Sequence, residues 1–310
     1  MPASAPVRLA DVDSRTAPRA KRIFGHPLIR LVIEFVGVVA ALVIVSIATK
    51  PLAALSGPGG RLGRVAATLA IVVAACAAYA GLVRLLERHR PADLTARGAL
   101  PELALGAAVG GFLFSAVIGT LWLLGVYHVT GSGELGALGG ALAMSVTSGC
   151  TEELIFRGVV FRNLEDLLGT WFALGISAAT FGLIHISNPH SSLWAATAIA
   201  IEAGILLAAC YVLTRRLWMV MGIHFAWNLT QGGVFGVAVS GGRSSGLLTS
   251  TLSGPALLSG GEFGAEASVI AVLFCLAAGV AFAWRAHARG HFVAPCWRRR
   301  PASDSGGSVS

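Results

Sequence analysis

Eight long apolar segments constrain the fold of this chain more than any other feature of its sequence. They cover approximately residues 28–48, 65–85, 103–126, 135–160, 171–186, 193–213, 217–235 and 268–284. A helix that crosses a membrane needs about 20 mostly apolar residues, and its backbone must form all its hydrogen bonds internally. The chain is 55% hydrophobic and only 12% charged, whereas soluble domains carry roughly 25% charged residues. We therefore predict an all-α, polytopic membrane protein with about eight transmembrane helices.

The polar ends of the sequence suggest a simple domain organisation. Residues 1–27 are polar and basic, and they are predicted to form a disordered cytoplasmic tail. Residues 28–285 are predicted to form a single transmembrane helical domain, and residues 286–310 a second cytoplasmic tail. The loop over residues 240–264 is rich in serine and glycine, so we expect an external loop of low order.

The distribution of lysine and arginine predicts how the chain is oriented in the membrane. With the N-terminus inside and eight crossings, 19 of these residues lie on the cytoplasmic side and 4 on the other side. Positive residues concentrate on the cytoplasmic side of membrane proteins, so both termini are predicted to be cytoplasmic, most simply at the plasma membrane. The net charge of +8 fits this orientation, and the absence of a basic patch interleaved with aromatic residues argues against a nucleic-acid partner.

The stretch TEELIFRGVV, residues 151–160, places three charges inside an apolar segment. Charges are expensive at the centre of a bilayer, so an ionisable residue within a span is a functional candidate by default. The candidates found in this way are Glu34, Glu152, Glu153, Arg157, His185, Glu202 and His224, together with the neutral Asn228.

Helical spacing assigns different environments to the two adjacent glutamates. Glu153 and Arg157 are four residues apart, so they share one face of a helix and can form an ion pair. Glu152 points about 100° away from Glu153 and is left free. A free carboxylate in a low-dielectric site can accept a proton from water. The alternative interpretation, about equally weighted from these residues alone, is a cytoplasmic helix end on which both glutamates are solvated.

Two further motifs lie on later segments. FGLIH ends at His185, and HFAWN places His224 and Asn228 on one face. A rise of about 1.5 Å per residue puts Glu152, His185, His224 and Asn228 roughly 15, 22, 12 and 18 Å from the cytoplasmic edge. Polar groups within a membrane face inward, and helix tilt can absorb such differences in depth. We therefore predict one shared polar pocket, although a single histidine in a span is more often a packed, hydrogen-bonded residue.

The three motifs together resemble the CPBP family, also called Abi or type II CAAX prenyl endopeptidases. The family pattern of EExxxR, FxxxH and HxxxN on separate membrane helices matches EELIFR from Glu152 to Arg157, FGLIH and HFAWN without a substitution. The resemblance covers about 80 residues, 150–228, within a predicted protease core of about 135–236. It implies an intramembrane endopeptidase that hydrolyses a peptide bond of a membrane-associated, prenylated or leader-peptide substrate.

The resemblance also implies roles for six residues. Glu152 would be the general base that activates water, with His185 assisting it. His224 and Asn228 would stabilise the oxyanion of the tetrahedral intermediate, which in a dry site contributes several kcal/mol. Glu153 and Arg157 would hold the helix end and the base in place.

Other chemistries and other classes of function stay open at this point. Glu152, His185 and His224 could instead bind zinc, because hydrolytic zinc sites usually have three protein ligands and a water. Cys150 could act as a nucleophile. A proton-coupled transporter could use Glu202 or Glu34, the latter being four residues from Arg30 and a possible partner of it. A non-enzymatic membrane scaffold or immunity protein is the third alternative.

Overall fold

A computed structural model describes residues 25–55 and 61–299. In these two ranges, helical segments run between two ends of the molecule, and a two-stranded sheet lies at one end. The elements are α1 (Pro27–Leu55), α2 (Arg61–Glu87), α3 (Ala99–Leu123), β1 (Tyr127–Ser132), α4 (Leu138–Glu153), α5 (Arg162–Leu168), α6 (Thr170–Ile184), α7 (Leu193–Ile199), α8 (Leu206–Thr214), α9 (Leu217–Asn228), β2 (Leu248–Leu252), α10 (Ala256–Ser259) and α11 (Val269–Ala288). Of the two predicted tails, residues 1–24 and 300–310 lie outside the described residues.

The all-α class of the fold is confirmed, and the count of about eight spans is approximate. Among the described residues, six helices are long and apolar enough to cross a membrane. The segments predicted over 135–160 and 217–235 are also helical, but they do not meet the same criterion of length and hydropathy. They contain the charged and amide side chains of the motifs, which lower the hydropathy of these two segments.

In the described part of the chain, three π-helical segments interrupt the regular helices. Leu154–Phe161 connects α4 to α5, Ala200–Ile205 connects α7 to α8, and Leu229–Val234 continues α9. The first follows Glu153, the second contains Glu202 and the third follows Asn228. Single π-helical turns occur often at functional sites, because the extra residue re-aims neighbouring side chains. All three segments adjoin or contain residues that the sequence marked as candidates, as this tendency predicts.

Serine residues cap the starts of two helices, and one glycine forms a tight turn between two others. Ser192 and Ser268 cap α7 and α11, each accepting a hydrogen bond on its hydroxyl from a backbone N–H at 3.1 Å. Gly169 joins α5 to α6 with a φ of 79°, a conformation that side chains disfavour. A Cβ atom there would lie 2.7 Å from the backbone nitrogen of Pro295, so the C-terminal segment packs directly on this turn.

Glycines bring α3 and α9 into direct backbone contact. A Cβ atom on Gly106 would lie 2.2 Å from the carbonyl oxygen of Met219, and one on Gly110 would lie 2.2 Å from that of Ile223. Small residues allow such close packing between membrane helices. Since α9 carries His224 and Asn228, the contact fixes the depth of two candidate site residues.

Ion pairs tie several helices together at the end predicted to be cytoplasmic. Arg30 of α1 contacts Glu87 of α2 at 3.2 Å and Asp166 of α5 at 2.6 Å. Glu34 is paired with Arg162 at 3.0 Å. The suggested pairing of Glu34 with Arg30 is therefore wrong, because each residue has a stronger partner on a neighbouring helix.

The opposite end is more ordered than the sequence suggested. Strands β1 and β2 pair antiparallel, with Tyr127 opposite Leu252. The backbone N–H of Gly241 donates to Phe263 at 2.8 Å, and a Cβ atom on Gly241 would overlap the carbonyl oxygen of Pro189. The expectation of low order over residues 240–264 is wrong, because this segment folds back against the helices.

Candidate active site

One cavity of about 240 Å³ brings together four of the six candidate residues, namely Glu152, His185, His224 and Asn228. The prediction of one shared polar pocket is thereby confirmed. Its volume leaves room for several waters. The other lining residues are Met144, Ser148, Phe181, Asn188, Ile199, Glu202, Ala203, Leu206, Leu207, Ile223, Trp227, Val239, Ser240, Glu266 and Cys275.

The remaining two candidates, Glu153 and Arg157, lie behind the cavity wall. Both side chains are completely buried, and they form an ion pair at 3.0 Å, as the spacing predicted. Arg157 Nη2 also donates to the carbonyl oxygen of Ala203 at 2.7 Å. The arginine thus links the end of α4 to the π-helical turn Ala200–Ile205, which forms another wall of the cavity.

Glu153 has a second partner that helical spacing could not predict. Its Oε1 lies 2.6 Å from Nδ1 of His224, on the separate helix α9. A carboxylate accepts hydrogen bonds, so the ring carries a proton on Nδ1 and donates it. The contact fixes the orientation of the imidazole and directs Nε2 toward the cavity.

Glu152 has a different environment from its neighbour. Its side chain is 30% exposed, and its Oε2 lies 4.0 Å from Nε2 of His224. Among the described residues, this contact, which is longer than a hydrogen bond, is the interaction that the carboxylate of Glu152 makes. The prediction that Glu153 pairs with Arg157 is therefore confirmed, and Glu152 has the longer contact with His224 in place of such a pair.

His185 is oriented by the backbone of its own helix. Its Nδ1 lies 2.7 Å from the carbonyl oxygen of Phe181, one turn earlier, so Nδ1 carries the proton and Nε2 is free to accept a hydrogen bond. The ring centroids of Phe181 and His185 lie 4.8 Å apart, and the guanidinium carbon of Arg157 lies 4.9 Å from the centroid of the Phe181 ring. This phenylalanine therefore positions both the histidine and the arginine.

Asn228 is held by a serine that precedes the glutamates. Its Nδ2 donates to Ser148 Oγ at 3.0 Å, which leaves its second N–H available toward the cavity. Cys150, one alternative nucleophile, is not among the residues that line the cavity.

Sequence reasoning missed one acidic residue of the cavity. Glu266 is 2% exposed and accepts a hydrogen bond from the backbone N–H of Ser240. Burial raises the pKa of Glu266 to about 7, and the hydrogen bond from Ser240 opposes that shift. Glu266 lies just beyond the segment that was expected to be a loop of low order, and only the fold brings it to the site.

Polar residues of the segments beside the motifs lie either at the cavity or away from it. Asn188 and Glu202 do line the cavity. His190 is exposed, and its Nδ1 lies 2.8 Å from Glu262 at the surface.

The predicted zinc ligands do not fit a three-ligand metal site in this arrangement. Among the described residues, no three histidine, cysteine, aspartate or glutamate side chains are grouped closely enough to hold a metal ion. Hydrolytic zinc sites have ligand bonds of about 2.0–2.2 Å, which requires a tight group of donors. The contact of 4.0 Å between Glu152 and His224 is wider than the separation of two atoms sharing such a metal.

The fold and the cavity together define a class of protein. The apolar helices support an integral membrane protein, and its cavity presents the carboxylate of Glu152, two oriented imidazoles and an amide. A protein-family model described as "Type II CAAX prenyl endopeptidase Rce1-like" matches residues 134–230. These residues contain all three motifs, so the resemblance inferred from the motifs is confirmed over this part of the chain.

One curated relative gives a similar result. A protein of Bacillus subtilis (strain 168) with the name "Putative membrane peptidase YdiL" is 30% identical over 87 residues, or 28% of this chain. The match covers 33% of the relative, so this chain spans about a third of that protein's length. No solved structure matches the chain.

Proposed function

We propose that this protein is an intramembrane endopeptidase in which Glu152 activates a water molecule. The observation that carries the proposal is the unpaired carboxylate of Glu152, which faces His224 Nε2 at 4.0 Å inside a cavity large enough for water. The matches to a CAAX endopeptidase family model and to a protein with a membrane peptidase name support peptide hydrolysis.

The first step is the activation of water. A water between Glu152 and His185 can give one proton to the carboxylate while its second hydrogen bonds to Nε2 of His185. The tautomer of His185 supports this role, because its Nδ1–H is committed to Phe181 and its Nε2 is an acceptor. The resulting hydroxide attacks the peptide carbonyl carbon, and Glu152 then passes its proton to the leaving nitrogen. General acid–base catalysis of this kind typically contributes about 10²–10⁴-fold in rate.

The second step is the stabilisation of the oxyanion that forms when the carbonyl is attacked. Asn228 retains one N–H that is not used by Ser148. His224 has a carboxylate near each ring nitrogen, Glu153 at Nδ1 and Glu152 near Nε2. When both ring nitrogens of His224 carry protons, Nδ1–H donates to Glu153 and Nε2–H can donate to the oxyanion. Fixed donors aimed at developing charge are a large source of catalysis in sites that exclude water.

The proposed hydrolysis needs no metal, because Glu152, His185 and His224 are not grouped as metal ligands among the described residues. A chelation test addresses this point directly. We expect purified protein dialysed against EDTA to keep its activity. Loss of activity that zinc restores, with no change in the thermal unfolding midpoint, would establish a metal and contradict the mechanism.

The proposed substrate is a peptide or protein at the membrane. A prenylated CAAX protein and a leader peptide are the two finer candidates, the first because of the name of the matched family. The proposed location is the plasma membrane, with both termini cytoplasmic, on the strength of the 19 and 4 basic residues on the two sides.

The experiment that tests this proposal maps new protein termini by mass spectrometry. Membranes from cells making the wild type are compared with membranes from cells making Glu152→Gln and Glu134→Gln. Glu134 is an exposed glutamate that does not line the cavity, so it controls for the loss of one charge. New termini in the wild type and the Glu134→Gln cells alone would name the substrates. Identical termini in all three, at equal expression, would contradict proteolysis and favour a scaffold or a transporter.

A further inference from the structure

Two buried acidic residues face the cavity without a part in the proposed hydrolysis. Glu202 lies on the π-helical turn Ala200–Ile205, and Glu266 lies on the 3-10 turn Ala265–Ala267. They are 3% and 2% exposed, yet both side chains line the cavity that contains Glu152. They reach it from separate elements, so their juxtaposition depends on the tertiary fold.

The environment of Glu202 leaves part of its carboxylate unsatisfied. Its Oε2 is buried and has no hydrogen-bond partner among the described residues. Burying a carboxylate without a partner is costly, and native structures contain few such groups. Glu266 is better satisfied, because the backbone N–H of Ser240 donates to its Oε1.

The cavity as a whole has an excess of acidic groups. Its described lining contains the three carboxylates of Glu152, Glu202 and Glu266 and two imidazoles, but no lysine or arginine. Arg157, on the other side of the wall, is already paired with Glu153 and with the carbonyl oxygen of Ala203. A cationic group that enters the cavity would therefore meet an excess of acceptors, among them the unpartnered Oε2 of Glu202.

We propose that Glu202 and Glu266 form a subsite that binds the basic side chain of a lysine or arginine in the substrate polypeptide. The proposal rests on the proposed function, because it places the subsite in the same cavity as Glu152. Apolar side chains beside the two acids, Ile199, Leu206 and Leu207, would contact the aliphatic stem of the basic residue. Long basic side chains bury their methylene groups in this way while their charged ends bind carboxylates.

A binding experiment tests the subsite without requiring turnover. The full-length protein carrying Glu152→Gln is purified and presented with fluorescent peptides of alanine and leucine. A single lysine is moved through every position, and each peptide has a twin with norleucine, which lacks the ammonium group. Fluorescence polarisation then gives the ratio of the two dissociation constants at each position.

We expect one position at which the lysine peptide binds at least about tenfold more tightly than its norleucine twin, as a charge-assisted hydrogen bond would provide. Adding Glu202→Gln should reduce this ratio to below about twofold, and so should Glu266→Gln, because a neutral amide lacks the charge. Adding Glu134→Gln should leave the ratio unchanged. The thermal unfolding midpoint of each variant controls for folding, and Glu202→Gln alone decides the test if Glu266→Gln does not fold.

The failure of the subsite and the failure of the proposed hydrolysis give different results. Equal binding of lysine and norleucine at every position, or a preference that survives the substitutions at Glu202 and Glu266, overturns the subsite. Cleavage of both twins at equal rates by the wild type, but not by Glu152→Gln, overturns the subsite while supporting hydrolysis. A lysine preference that depends on Glu202, with no cleavage by the wild type, supports the subsite and contradicts the proposed hydrolysis.

Discussion

At the scale of single residues, the site depends on two adjacent glutamates with opposite environments. Glu153 is buried and accepts hydrogen bonds from Arg157 at 3.0 Å and from His224 at 2.6 Å. Glu152 is partly exposed to the cavity and has no comparable partner. One residue of helical rotation therefore separates a carboxylate with two close partners from the one proposed to activate water, and experiment can distinguish the two.

Substituting each glutamate by glutamine should affect stability in different ways. Glu153→Gln leaves Arg157 buried without its charge partner, so we expect the free energy of unfolding to fall by about 3 kcal/mol or more. Glu152→Gln removes no hydrogen bond within the protein and should change it by less than about 1 kcal/mol. Unfolding by denaturant in detergent micelles measures both. Equal losses in the two variants would contradict the assignment of Glu153 as the structural member.

At the scale of elements, glycine contacts and π-helical turns position the site. Gly106 and Gly110 of α3 lie against the backbone of α9, which carries His224 and Asn228. The π-helical turns follow or contain Glu153, Glu202 and Asn228, and so change the direction of the chain beside the cavity. Local backbone features thus place side chains that belong to distant parts of the sequence.

Two glycines of the same helix should respond oppositely to alanine. Gly106→Ala would put a Cβ atom 2.2 Å from a backbone oxygen of α9, so the helices must separate and the protein should lose about 1–3 kcal/mol of stability. Gly119 has no atom within 4 Å of such a Cβ, and Gly119→Ala should be neutral or stabilise the helix by up to about 1 kcal/mol. Thermal unfolding of the two variants measures the difference, and an equal response would contradict the close packing of α3 on α9.

The sequence allowed the local half of this arrangement to be predicted. The pair Glu153–Arg157 follows from helical spacing, and the ordered motifs indicated a shared pocket. The bond between Glu153 and His224 joins residues 71 positions apart, and the pair of Glu34 with Arg162 joins residues 128 apart. Such partners depend on how helices pack, which spacing within one helix does not encode. Glu266 was missed for the same reason, because no helical pattern connects it to the motifs.

At the scale of the whole molecule, the ion pairs that join helix ends and the β-sheet lie at opposite ends. Ion pairs such as Arg30–Asp166 and Arg216–Glu102 connect helix ends on one side. The pairing of β1 with β2 lies on the other side and closes the loop that supplies Glu266. The first end contains the segments that the positive-inside rule assigns to the cytoplasm.

Labelling of introduced cysteines should reveal which end faces the cytoplasm. In a protein with the exposed Cys296 changed to serine, Thr251→Cys lies on β2 and Ala96→Cys lies between α2 and α3, and both positions are exposed. A maleimide that does not cross membranes should label Thr251→Cys in intact cells and Ala96→Cys only after permeabilisation. The reverse pattern would show that the predicted orientation is wrong.

The central claim is that Glu152 activates water for peptide hydrolysis, and the most direct measurement is steady-state kinetics of purified protein in liposomes. The substrate is a peptide identified by the mapping of new termini, and the variants are Glu152→Gln and the control Glu134→Gln. We predict that Glu152→Gln lowers kcat by at least about 100-fold with little change in KM, because the base acts in the transition state. Glu134→Gln should match the wild type. Hydrolysis by folded Glu152→Gln protein at a rate close to that of the wild type would contradict the account.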